Sequence, residues 1–287
     1  MELDELLSTV QKIEILDRSI YKQKLSGAYN SQLKGQGLTF DSIRKYEAGD
    51  DVRDINWNVT ARFQEPYINT YIEDKKRLIW IIIDVSGSTI FGTDRRSKLD
   101  LEIEIGATLA YSSIKKNDLV GVIFFSDKIE KLIQPARGMQ NFLHIAKEMV
   151  SIKPGEKKTD IGNALQFFSR VNNKRSLIFL LSDFIGDNYA PYLKILEQKH
   201  ELIAIKVYDK REQNLPDVGW IKLRDLESGK ESWVNTAAIK FKKNLSTQFE
   251  KSEKFFDETF HYNQMNTLKI GTNENIEEKL LKFMGSR

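Results

Sequence analysis

The apolar residues of this chain gather into a few dense runs separated by amphipathic stretches. Leu78-Ile-Trp-Ile-Ile-Ile83 is continuous and closes on Asp84, and Leu119–Phe125, Ser176–Ser182 and Leu202–Tyr208 look the same. Short apolar runs without polar alternation predict parallel strands buried on both faces. Helical spacing lies between them at about 98–115, where Leu99, Leu101, Ile105, Ala107, Leu109 and Ala110 recur, and at about 138–151, 160–172 and 190–199. Ile129–Ile133 is expected to pair beside the second run through a turn at Asp127-Lys128. Alternating strands and helices predict an α/β fold, a doubly wound and mostly parallel sheet.

The flanks read differently. Leu3, Leu6, Leu7, Val10 and Ile13 predict a short amphipathic helix over 3–15. Residues 25–76 mix glycines, charges and short alternating stretches, the composition of an irregular β-rich module. Trp220–Leu223 and Glu231–Asn235 flank Glu227-Ser-Gly-Lys230, a hairpin turn. A long helix over 236–262 carries Ala238, Phe241, Leu245, Phe249, Phe256 and Phe260 on one stripe, read as core packing. Leu268–Ile270 is expected as an edge strand and Ile276–Met284 as a closing helix. The expected division is 1–76 (helix and β-rich module), 77–210 (α/β domain) and 211–287 (hairpin and helices packing back on it).

Composition narrows the chemistry. The 287 residues include no cysteine and only His144, His200 and His261, set far apart. Disulfides, thiolate metal sites and cysteine nucleophiles are excluded, and zinc held by histidines is not expected. Net charge is +3 from 44 basic and 41 acidic residues, so no nucleic-acid partner is expected. The acidic start Met1-Glu-Leu-Asp-Glu has no signal-peptide character, and the longest apolar run is far short of the ~20 residues a spanning helix needs. The expectation is a soluble cytoplasmic protein with no membrane span.

Asp84-Val-Ser86-Gly-Ser88 directly follows the first central strand. In open α/β sheets, ligands gather at the carboxyl ends of strands. One carboxylate and two hydroxyls supply half of the about six oxygens that Mg²⁺ wants at ~2.0–2.1 Å. Thr159, in a loop before a helix, offers a third hydroxyl, and Asp183, at the end of the third apolar run, reaches such an ion directly or through water. Ser, Thr and Asp also serve at such places as caps and turn formers, so both readings stand on the residues alone.

The order Asp84-x-Ser86-x-Ser88, Thr159-Asp160, Ser182-Asp183 resembles the von Willebrand factor A domain and its metal-ion-dependent adhesion site over about residues 77–210. A glycine usually precedes the threonine in that family, and Lys158 does so here. The resemblance implies a metal site of Asp84, Ser86, Ser88, Thr159 and Asp183. It would hold Mg²⁺ (or Mn²⁺ or Ca²⁺), with an open position for an acidic residue of a partner protein.

Upstream, Arg44-Lys-Tyr46-Glu-Ala-Gly49-Asp50-Asp51-Val-Arg53-Asp-Ile55-Asn56-Trp57 through Arg62 is read from the residues as structural. Gly49-Asp50 forms a turn, Arg53 and Arg62 pair with carboxylates, and Trp57 packs into a core. The stretch is similar to the signature of the bacterial domain-of-unknown-function family 58, whose members join it to a von Willebrand A-like domain. That resemblance spans about residues 20–287 and implies a non-enzymatic adaptor or chaperone-like partner of a MoxR-type AAA+ ATPase. Two other readings remain: a Mg²⁺-dependent phosphohydrolase with Asp84 as nucleophile, and a scaffold whose metal site is vestigial. Ser86 stands where such phosphatases usually carry a second acid, and Gly92–Lys98 lacks a phosphate-binding glycine-lysine pair.

Overall fold

In a computed structural model of the chain, described over residues 2–10, 38–73, 76–92, 96–153, 159–186, 188–213, 216–224, 231–263 and 265–285, every continuous apolar run is a strand. They are β3 (Leu78–Asp84), β4 (Leu119–Phe125), β6 (Leu177–Ser182) and β7 (Glu201–Tyr208), each buried along nearly its whole length. A strand with apolar side chains on both faces needs cover on both, and the intervening helices supply it. Each fully buried Ile or Leu contributes about 1.5–3 kcal/mol, so the sheet is the main source of stability.

The chain divides into two compact units, Gly27–Lys76 and Met1–Ser26 together with Arg77–Arg287. In the larger unit the sheet has six strands in the order β10-β7-β6-β3-β4-β5, where β5 is Ile129–Ala136 and β10 is Asn266–Gly271. All neighbours are parallel except β4 and β5, which form an antiparallel hairpin through Ser126–Lys128. The α/β fold class read from the sequence is the one observed. The expected edge strand near 268–270 is β10, which adds itself to β7 in parallel register, Leu268 opposite Ile205. The sheet therefore draws on the C-terminal segment as well as on 77–210.

One face of the sheet is covered by α1 (residues 3–10), α3 (Lys98–Lys115), α4 (Gly138–Ser151) and α9 (Ile276–Gly285). The other face is covered by α5 (Ile161–Val171), α6 (Ala190–Glu197) and α8 (Ile239–Tyr262). Leu6 and Val10 of α1 lie in the first core with Leu101, Ile105 and Leu280. The N-terminal helix thus belongs with the α/β unit rather than with residues 25–76, because its apolar stripe is buried there. On α8, Phe256 and Phe260 are buried, so the stripe read as core packing is core at its C-terminal end. The four-residue α7 (Lys210–Gln213) follows β7, and β8 (Trp220–Arg224) pairs with β9 (Glu231–Asn235). Their connecting turn at 227–230 lies outside the described residues, as do residues 11–15, 25–37 and Lys158.

Among the described residues no helix is long and apolar enough to cross a membrane.

The smaller unit pairs β1 (Leu38–Lys45) with β2 (Tyr67–Glu73) antiparallel, with α2 (Trp57–Phe63) between them. Asn56 caps α2 by accepting from the Val59 amide at 3.1 Å. The turn at Gly49-Asp50 is present, with Gly49 at φ +115°, a conformation that suits glycine. The Asp50 carboxylate in that turn pairs with Arg44. The Arg44 guanidinium forks onto both Asp50 oxygens at 2.8 and 2.7 Å, while the Glu47 amide donates to the same carboxylate. The hydrogen bonds from Arg44 hold Asp50 below the usual carboxylate range. Arg53 pairs with a carboxylate as expected, Asp51 at 3.9 Å, whereas Arg62 has no carboxylate partner among the described residues. Trp57 is a correction too: it is 69% exposed, and no residue of α2 is buried. A unit this small has too little interior for every large side chain.

Candidate functional site

The chain order around the sheet fixes where a site can form. From β3 the chain runs through α3 to β4 on one side, turns back along β5, and then crosses to β6 on the other side of β3. The order reverses between β3 and β6, and the crevice beyond their carboxyl ends is the place an open sheet leaves for a ligand. The register carries Ile83 opposite Leu181, so Asp84 and Ser182 are the next residues at that edge.

The structure brings the five sequence-derived candidates to this crevice. Asp84 is fully buried and accepts from the Ser86 amide at 2.9 Å and the Ser182 hydroxyl at 2.7 Å. A one-turn 3₁₀ segment, Gly87–Ile90, follows and turns Ser86 and Ser88 toward each other, with Oγ to Oγ 3.0 Å. Thr89 stays out of the cluster because its hydroxyl donates back to the Ser86 carbonyl. Thr159 precedes α5. Its hydroxyl donates to Ser86 Oγ at 2.6 Å and lies 3.5 Å from Ser88 Oγ. Asp160 beside it is occupied as the α5 cap, accepting from the Asn163 amide and the Asn188 side chain. Asp183 is buried at the end of β6, facing the Ser88 hydroxyl.

Charge in this crevice is uneven. Burial, and then the neighbouring Asp183, raise the Asp84 carboxyl to about 7. Burial also opposes ionisation of Asp183, but the Lys98 ammonium outweighs it and holds Asp183 below its ordinary value. Lys98 Nζ donates to Asp183 Oδ2 at 2.8 Å and to Glu212 Oε1 at 2.5 Å. A buried carboxylate with no cation of its own, Asp84, therefore sits beside three clustered hydroxyls. Hard oxygens around an under-compensated acid suit a hard divalent cation, and Asp84, Ser86, Ser88 and Thr159 are the residues able to hold one, with Asp183 behind them. Among the described residues no cluster of three or more His, Asp or Glu side chains is built for a metal, so an ion here would rest largely on hydroxyls.

Comparison with known proteins adds the family. A family model described as "Protein of unknown function DUF58" matches residues 42–254. The chain belongs to the DUF58 family. An uncharacterized protein of Mycobacterium tuberculosis is 30% identical over 215 residues, covering 72% of this chain and 68% of that protein. Among solved structures, the conserved hypothetical protein BatB of Bacteroides thetaiotaomicron has a TM-score of 0.47 at 14% identity, over 73% of this chain and 98% of its own. A von Willebrand factor type A protein of Catenulispora acidiphila has a TM-score of 0.35 at 14% identity, over 66% and 44%.

The motif reading named Ser182 without giving it a role, and it passed over Lys98 and Glu102 of this DUF58 site. Ser182 is the hydroxyl that ties Asp84 to β6, and it also accepts from the Phe184 amide at 3.0 Å. Lys98 and Glu102 were overlooked although their spacing signals them. With Ile105 and Leu109 they form an i, i+4, i+7, i+11 stripe on α3, so two charged residues stand on a core-facing row. Both are 0% exposed.

Proposed function

We propose that this DUF58 protein is a non-enzymatic, divalent-metal-dependent protein-binding module of the cytoplasm. Asp84, Ser86, Ser88 and Thr159 would hold Mg²⁺, with Mn²⁺ or Ca²⁺ as substitutes, and Asp183 would act through water. The bound ion supplies an electrophilic position for a carboxylate oxygen of an acidic residue on a partner protein. The observation that carries the reading is the convergence of three hydroxyls from two separate loops, 2.6–3.5 Å apart, beside the buried Asp84. The chain's own residues do the remaining work. Ser182 and the Ser86 amide fix the Asp84 carboxylate, and the Gly87–Ile90 turn and the Asp160 cap set the three hydroxyls. A nucleophilic role for Asp84 is disfavoured because Ser86 stands where aspartyl-phosphate enzymes usually carry a second acid.

The partner that fits the family resemblance is a MoxR-type AAA+ ATPase, with this chain as adaptor or chaperone-like subunit. The test has two stages. Mg²⁺ alone at a hundred times its dissociation constant should stabilise the wild type by about 2.7 kcal/mol, and Asp84→Ala or Ser86→Ala should abolish that shift while the protein stays folded. Identical melting curves with EDTA and with 10 mM Mg²⁺, Mn²⁺ or Ca²⁺ would sink the metal reading. Calorimetry against the purified ATPase should then show binding by the wild type and none by Asp84→Ala. The variant matters more than EDTA here, since such an ATPase needs Mg²⁺ for its own nucleotide.

A further inference from the structure

Lys98 is an unusual residue to find where it is. It is the first residue of α3, capped by Ser97, whose hydroxyl accepts from the Asp100 amide while the Asp100 carboxylate accepts from the Ser97 amide. A helix N-terminus carries partial positive charge and disfavours a cation there. Burying an ammonium costs several kcal/mol unless acids enclose it. Yet Lys98 is 0% exposed. Its ammonium bridges Asp183, at the end of β6, and Glu212, on α7 after β7, at 2.8 and 2.5 Å. It therefore links the carboxyl-end loops of two neighbouring strands from beneath the hydroxyl cluster.

Its surroundings are rich in acids. Glu102, one turn further along α3, is also 0% exposed, and among the described residues its oxygens make no well-formed hydrogen bond, only a weaker approach to the Asp84 backbone amide. The charges that bear on it are Asp84, Asp183 and Lys98. Burial, with those acids adding to it, raises Glu102 well above its ordinary value. Lys98 thus joins two acids, Asp183 and Glu212, with Glu102 within reach of its charge and Asp84 next to Asp183. Without that cation Asp183 and Glu212 would be left uncompensated beside further acids in a buried site.

We propose that Lys98 is a built-in counter-ion of the candidate metal site: it neutralises Asp183 when no divalent ion is present, frees the fold from dependence on metal, and holds divalent affinity down. The inference rests on the metal reading above and concerns how that site is tuned. Lys98 acts through Asp183 and is a positioning residue. A positive charge one carboxylate away from a divalent ion costs about a factor of ten in affinity even at high dielectric.

The experiment compares wild type, Lys98→Met and the double variant Lys98→Met/Asp183→Asn by titration calorimetry with Mg²⁺ and by thermal melting in EDTA. Lys98→Met should bind Mg²⁺ at least tenfold more tightly than wild type. It should melt lower in EDTA and recover in Mg²⁺. The double variant, which removes both charges, should melt in EDTA within a few degrees of wild type, a rescue that lost packing alone would not give. Lys98→Met with wild-type Mg²⁺ affinity overturns the proposal, and so does a double variant that melts as low as the single one. If Lys98→Met is unfolded in EDTA, folding at 10 mM Mg²⁺ supports the proposal and continued unfolding overturns it. The two readings fail separately. Wild type that binds Mg²⁺ with an indifferent Lys98→Met sinks only this inference. Lys98→Met that binds while wild type does not sinks only the metal function of the wild type, and binding by neither sinks both.

Discussion

Phe184 holds the Asp183 loop in place, and its removal is a sharp test of how the site is built. The residue follows Asp183 directly, is fully buried, and has a φ of +52°, in the left-handed region. Its ring makes edge contacts with Tyr189, Phe256 and Phe260, at centroid distances of 5.6, 4.9 and 5.4 Å. The α8 stripe thus reaches the candidate site through one aromatic side chain. Phe184→Ala removes that ring from a packed cluster, at a cost of about 3–5 kcal/mol. At ~2–4 °C per kcal/mol for a unit of this size, the melting point should fall by about 6–20 °C.

The backbone term can be separated from the ring. An alanine at Phe184 keeps the left-handed strain, about 1–2 kcal/mol for a residue with a Cβ. Glycine relieves it but loses about 0.4–1 kcal/mol through the freer unfolded chain. Phe184→Gly should therefore equal Phe184→Ala in stability or exceed it by up to about 1.6 kcal/mol, the reverse of the usual order. Urea unfolding of both variants reads this directly. A Phe184→Ala cost under 1 kcal/mol, or a glycine variant more than 1 kcal/mol below the alanine one, would refute the argument.

Two further outcomes follow from the core. His200, 7% exposed with Nδ1 2.9 Å from the Ser176 hydroxyl, is pushed by burial down to about 4 from 6.5. Between those values the unfolded chain binds a proton that the folded chain does not, so stability falls as pH drops from 6.5 toward 4. The ceiling is about 3 kcal/mol, reduced toward about 2 by solvent screening, and His200→Gln should flatten the urea midpoint between pH 7 and 5. Curves that stay parallel for wild type and variant would contradict this. A Cβ at Gly121 would lie 2.9 Å from the Trp80 ring and from Pro135, and Trp80 is buried with its ring against Phe168. Gly121→Ala should cost about 1–2 kcal/mol despite its gain in strand stiffness; a neutral or stabilised variant by calorimetry would show that the ring can shift.

What the sequence made legible, and what it hid, follows from how each kind of information is carried. The unbroken run 78–83 could only be a strand covered on both sides, because alternation would have marked a solvent face. The grouping of Asp84, Ser86, Ser88, Thr159 and Asp183 was legible because each lies just past the end of a strand or just before a helix, where the fold class itself sends them to one edge. Trp57 was misread because its burial depends on how much interior a small unit can make, which no local pattern records. Lys98 was missed for a different reason. A charged residue at a helix start resembles a surface residue until its row on the helix is counted, and the two acids that hold it come from positions 183 and 212. The visible half of the site is thus a set of oxygens written along the strand ends, and the hidden half is the cation that makes their burial tolerable. On the reading proposed above, a motif lists the oxygens that would face an ion, and the ease with which they would accept it depends on a residue that faces inward, the lysine on the first turn of α3 that pairs with Asp183.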